Sequence, residues 1–209
     1  MTVNDEFIQR ARLIETNLVG VIRGKPHTLR MLITSQLAGG PVLLDDVPGT
    51  GKTTLAKTLA RSVDGIFRHI QFKPDLLPAD ITGSSFYNPA DGGFESRLGP
   101  VFANVLLADE INRTSPRTQS ALLEVMSENQ LSVEGTRREL PQQFFVIATE
   151  KPIDFHGTYP LPEAQWDRFA VRLTLGYSDH ESEMAVLISQ QMHHPFDDVK
   201  PVINCAEIL

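Results

Sequence analysis

The stretch "PGTGKTT", Pro48 to Thr54, holds the residues with the clearest chemistry. Gly49 and Gly51 let the backbone curl so that its N–H groups converge on an anion. A helix starting near Lys52 would add its positive end to the same place. Lys52 is placed to reach terminal phosphates, and the Thr53 hydroxyl is a ligand of the hard-oxygen kind that magnesium takes. The candidate phosphate-binding residues are Asp46, Val47, Pro48, Gly49, Thr50, Gly51, Lys52, Thr53 and Thr54. Asp46 stands where the simple pattern has a glycine.

A second group lies in "NVLLADEINR". Asp109 and Glu110 follow the apolar residues Val105, Leu106 and Leu107, so they sit at the carboxyl end of a buried strand. In a parallel sheet those ends line the ligand crevice. Asp109 is the candidate magnesium ligand beside Thr53, and Glu110 is the candidate activator of water for attack on a phosphate. Taken alone, such an acid pair also suits a helix start after a strand. An apolar strand before the glycine loop and a helix after it favour the phosphate chemistry.

The elements that must hold these groups are legible from periodicity. Apolar positions over Phe7–Leu18 and Thr28–Leu37 predict helices, the second closed by Gly39, Gly40 and Pro41. Val42–Leu44, "IFRHIQF", "VFANVLLADE", "FFVIAT" and "FAVRLTL" read as strands. Lys52–Ser62, Ser115–Asn129 and Glu181–Met192 read as helices. "QLSVEG" and "RREL" about a Gly-Thr turn predict a hairpin. The segment "KPDLLPADITGSSFYNPADGGFES" reads as loop, with three prolines and several glycines. Alternating strands and helices predict an α/β fold: a parallel sheet flanked by helices, with a hairpin insertion.

The chain has 209 residues and a net charge of −7, which argues against a mainly nucleic-acid-binding surface. Its single cysteine, Cys205, excludes a disulfide within the chain and suits a reducing compartment. The opening "MTVNDEFIQR" is polar, without the apolar core of a signal peptide, and no run is apolar enough to span a membrane. A cytoplasmic location is the expectation.

With these residues in place, the chain resembles a MoxR-type ATPase of the AAA+ superfamily from about Leu18 onward. The resemblance rests on "DVPGTGKTTLAK", "QFKPDLLPADITG", "GPVFANVLLADEINR", "TQSALLEVM", "FFVIAT" and "GTYPLPEAQWDRF", in that order. It implies an ATP-binding P-loop AAA+ core with Lys52 and Thr53 in Walker A and Asp109 and Glu110 in Walker B. It makes Arg168 the arginine finger that acts on ATP in a neighbouring subunit, and it sets "VIRGKP" beside the adenine, with Lys25 where a glutamine is usual. It further implies magnesium-dependent hydrolysis, hexameric rings, and remodelling of partner proteins, often with von Willebrand A domain proteins. Read from the sequence without the family, Arg168 precedes the strand "FAVRLTL", where a sheet crevice or subunit edge would let it neutralise charge on phosphate oxygens; a salt bridge near Asp167 or with Glu163 is the alternative.

The family pattern "ATQNP" reads "ATEKP" here, so Glu150 and Lys151 replace the amides and Lys151 takes the sensor 1 position. A protonated lysine cannot accept a hydrogen bond from water, which predicts slow hydrolysis. The expected division is a nucleotide-binding core over 1–175, then a linker and the start of a helical lid over 176–209 that the chain does not complete. Set against an ATPase is a nucleotide-gated interaction module with little turnover. A small-molecule kinase fits "DEINR" and "EAQWDRF" less well, and a GTPase lacks an Asn-Lys-x-Asp signature.

Overall fold

The computed structural model describes residues 3–45, 47–90, 92–133, 136–151, 157–191 and 193–207. Helices α1 (Val3–Val21) and α2 (Pro26–Leu37) precede strand β1 (Val42–Asp45), which leads through the glycine loop to α3 (Lys52–Ser62). Then come β2 (Phe67–Gln71), α4 (Pro78–Thr82), β3 (Gly83–Asn88), β4 (Gly93–Leu98) and β5 (Val105–Asp109). After a 3-10 turn over Ile111–Arg113, the chain runs through α5 (Pro116–Glu128), β6 (Gln130–Val133), β7 (Thr136–Glu139) and β8 (Phe145–Glu150). It continues with α6 (Glu163–Trp166), β9 (Val171–Leu173) and α7 (His180–Ser189).

Five strands form one parallel sheet in the order β2-β5-β8-β1-β9. The apolar runs of the central strands follow from burial on both faces. On β1, Val42 and Leu44 point into a core with Ile14, Leu29, Leu55 and Leu59, while Leu43 points into the opposite core with Leu122 and Phe169. On β5 the same alternation sends Val105 and Leu107 to the first core and Leu106 and Ala108 to the second. Each such leucine contributes about 1.5–3 kcal/mol by burial. The sheet is thereby locked in register, and its carboxyl ends are fixed in space. Among the described residues, no helix is long and apolar enough to cross a membrane.

The segment 73–96, expected as loop, instead carries α4 and the antiparallel hairpin β3–β4. Its strands bury no face, so they leave no alternating apolar pattern to read. The ribbon is held by its ladder, by a Tyr87–Phe94 edge contact at 5.7 Å, and by close backbone approach at Gly83. Gly83 has φ +99°, and any Cβ there would run into the Arg97 carbonyl. The second hairpin, β6–β7, stands where the sequence predicts one, although its turn at 134–135 lies outside the described residues.

Candidate functional site

The loop after β1 has a strongly bent backbone. Gly49 and Gly51 take φ +85° and +88°, in the left-handed region that favours glycine. Gly51 is the N-cap of α3, and among the described residues no side-chain hydrogen bond caps that helix. The first N–H groups of α3 are therefore left for an outside acceptor. Lys52 folds back over the loop, its Nζ donating to Val47 O at 2.7 Å, where the Thr50 hydroxyl also donates at 3.3 Å. Thr53 and Thr54 lie in the first turn of α3, half-buried. Asp46 lies outside the described residues.

Asp109 ends β5, and Glu110 turns the chain out of the sheet with φ +57°. That conformation is uncommon for a glutamate. Its backbone N–H donates to Thr149 Oγ1 at 2.8 Å, and the same hydroxyl donates to Asp109 Oδ1 at 2.6 Å. The Glu110 carboxylate is held at Oε2 by Gln71 Nε2 and an Arg113 guanidinium nitrogen, both at 3.1 Å. His69 Nε2 stands 3.6 Å from Asp109 Oδ2. Thus β2, β5, β8 and the 3-10 turn all send polar groups to one acidic corner.

Strand β8 lies between β1 and β5 in the sheet, so its exit separates the glycine loop from the acid pair. Lys151 occupies that exit. Its backbone N–H donates to Asn112 Oδ1 at 3.0 Å and its carbonyl accepts from Asn112 Nδ2 at 2.7 Å. Asn112 is buried, and this paired contact ties β8 to the turn after Glu110. Glu150, one residue earlier, is buried opposite Asp45 in the β1–β8 register. Burial pushes the Glu150 carboxyl above its usual range; Arg172 opposes the shift and Asp45 adds to it. Arg172 itself pairs with Asp45 at 2.7 Å.

Beside the loop is a cleft of about 380 Å³, lined by Ile22, Lys25, Gly49, Thr50, Gly51 and Tyr177 among others. Its far wall comes from α7 through Glu183, Val186 and Leu187. Lys25 Nζ donates to Tyr177 O at 2.6 Å, and the Ser178 hydroxyl donates to Arg23 O at 3.2 Å. Gly24 is fixed by this closure, because a Cβ there would stand 2.6 Å from Ser182 Oγ at φ +75°. The "VIRGKP" segment and the glycine loop therefore share one cavity.

Arg168 is elsewhere. Its guanidinium packs on the last turns of α5, donating to Leu123 O and Ser127 Oγ, both at 2.9 Å. The arrangement suits a helix C-terminus, where cations are favoured. Among the described residues, Glu163 makes no ion pair with it.

Among the described residues, no group of three or more His, Cys, Asp or Glu side chains is placed to hold a metal ion. One carboxylate at Asp109 and one hydroxyl at Thr53 are hard-oxygen donors too few to cage a cation alone. That donor set suits magnesium, which keeps waters and binds through one or two carboxylates plus substrate phosphates. Sequence reading did not single out Thr149, Gln71, Asn112 or Arg113 for the acidic corner. Polar Thr149 at the end of the apolar run "FFVIA" was the available signal for the first.

A sequence model described as "ATPase family associated with various cellular activities (AAA)" matches residues 41–171. The chain is 50% identical over 183 residues to the YeaC protein of Bacillus subtilis, covering 88% of this chain and 57% of that one. It is 42% identical over 189 residues to the chaperone MoxR1 of Mycobacterium tuberculosis, covering 90% of this chain and 50% of the relative. The crystal structure of a candidate ATPase from Cytophaga hutchinsonii superposes with a TM-score of 0.86 at 38% identity, covering 99% of this chain and 63% of that one. The chain thus spans between half and two thirds of the length of each of these three proteins.

Proposed function

The chain belongs to the MoxR-like AAA+ ATPase family, and from that membership we propose that it binds ATP with magnesium and hydrolyses it. The observation that supports the reading is the start of α3 at Gly51, whose loop residues Gly49–Gly51 line a cleft, while Asp109 and Glu110 stand at the same carboxyl end of the parallel sheet, one strand beyond β8. The N–H groups of Gly49–Thr53 take the phosphates, and Lys52 leaves Val47 O to meet them. The cleft between Ile22–Lys25 and α7 takes the base and ribose. Thr53 and Asp109 would hold magnesium, which when bound spreads the negative charge of the phosphates. Glu110 accepts a proton from water as the water oxygen bonds to the terminal phosphorus and the bond to the ADP oxygen breaks.

In this reading residues 1–175 form the nucleotide core and 176–209 form a linker and the start of a helical lid. Arg168 serves a neighbouring subunit of a ring. The work done is remodelling of partner proteins in the cytoplasm, in keeping with the word chaperone in the name of the Mycobacterium relative. The von Willebrand A domain class remains the proposed partner.

A second reading, a nucleotide-gated module with little turnover, is favoured by Lys151 at the exit of β8, where the family pattern has an amide. One experiment separates the two: ATP affinity by calorimetry together with phosphate release, on the wild type and on Glu110→Gln. Binding with release that the substitution abolishes supports the ATPase. Binding with equal, near-zero release in both proteins supports the module. Absence of binding overturns both.

A further inference from the structure

We propose that Thr149 is a positioning residue for this reaction, its one hydroxyl fixing the magnesium-side carboxylate of Asp109 and the backbone of Glu110 together. The inference rests on the nucleotide reading above and names what presets its acidic corner. A threonine hydroxyl has one proton and two lone pairs. The proton goes to Asp109 Oδ1 at 2.6 Å, and a lone pair takes the Glu110 N–H at 2.8 Å. Thr149 is 1% exposed, so water cannot replace either bond.

The consequences differ for the two acids. At Asp109, one oxygen is committed inward, which sets the plane of the carboxylate and leaves Oδ2 on the His69 side. At Glu110, the bond holds a residue whose φ of +57° glutamate seldom adopts. Thr149 thus couples metal-side and water-side groups through β8, the strand between the two halves of the site. A valine there keeps the shape and loses both bonds.

The test uses the full chain as wild type, Thr149→Val and Thr149→Ser, with Thr149→Ala as a second deletion of the hydroxyl. ATP affinity is measured by calorimetry with magnesium and with EDTA, and turnover by phosphate release. Magnesium is expected to tighten ATP binding by the wild type. Both deletions are expected to lose about tenfold of that magnesium-dependent gain and at least about tenfold in kcat, the size of one lost charge-assisted hydrogen bond. Their affinity in EDTA stays within about twofold of wild type, since the glycine loop is untouched. Thr149→Ser restores both quantities. Unchanged magnesium-dependent binding and turnover in the deletions overturn the proposal. Equal losses with magnesium and with EDTA overturn it too, since they mark a structural role only. A wild type that binds no ATP fails the nucleotide reading itself, and this inference with it; a wild type that binds ATP without any magnesium gain overturns this inference alone.

Discussion

Lys52 Nζ donates to Val47 O at 2.7 Å, so the lysine that the sequence assigns to phosphate closes its own loop instead. This bond neutralises no carboxylate, and a single carbonyl is a poor partner for an ammonium compared with a phosphate. Lys52 is therefore poised to exchange partners. Lys52→Ala should weaken ATP binding by about 10- to 100-fold, the range of a hydrogen bond to a charged group. Melting temperature should change little, because the lysine is only half-buried. Calorimetry with magnesium-ATP and a thermal melt check both, and equal affinity in the two proteins would sink the assignment.

Glu110 is held by Gln71 and Arg113 at one oxygen, which leaves Oε1 to act as the base. Glu110→Gln keeps the side-chain shape and removes the basic carboxylate. Turnover should fall by about 10²–10⁴-fold, the usual worth of a positioned acid–base group, with ATP affinity kept. Phosphate release at an unchanged rate removes Glu110 from the role.

The parallel sheet and its flanking helices were legible because β1, β5 and β8 are apolar on both faces and α3 and α5 are amphipathic. The hairpin β3–β4 was not, because Phe86, Tyr87 and Phe94 are exposed and no buried face imposes a period. The site divides in the same way. The glycine loop and the acid pair are contiguous in sequence and announce their chemistry. Thr149 and Gln71 reach Glu110 from 39 residues away in either direction, a pairing made by strand order alone. The motif around Arg168 speaks to a neighbouring subunit's phosphate and says nothing of its partners on α5 within the chain, which follow from packing.

Glu150 gives a pH-dependent prediction. Burial raises its carboxyl above the usual value of 4.5, against the pull of Arg172. A group whose folded pKa is raised favours the fold fully below its unfolded pKa and loses that contribution as pH rises through the folded one. Stability should therefore decline with rising pH in the range just above 4.5. Glu150→Gln removes the titration, so its melting temperature should exceed that of the wild type at pH 7, by about 2–4 °C for each 1 kcal/mol in a chain of this size. Melts from pH 4 to 8 check this, and parallel curves for the two proteins would show that Glu150 contributes no pH dependence.

Arg168 is tied to α5 in its own subunit, and the proposed ring role requires it to leave. Its contact with Ser127 Oγ is exposed and that with Leu123 O is part-buried, so parting from the two costs about 1–3 kcal/mol. A guanidinium beside phosphate oxygens gains most as charge builds in the transition state. Arg168→Ala should therefore cut turnover by about 10³-fold or more while ATP affinity stays within about threefold. Ser127→Ala removes one parking contact without touching the nucleotide cleft, and its turnover should equal or exceed that of the wild type. Mixing Lys52→Ala with Arg168→Ala gives the sharpest measurement. In a mixed ring some interfaces join an intact glycine loop from one subunit to an intact arginine from the next, and these should recover turnover that neither variant has alone. Recovery should follow the fraction of mixed assemblies seen by light scattering or native mass spectrometry. Mixed rings as inactive as either parent would return Arg168 to a cap on α5 and nothing more.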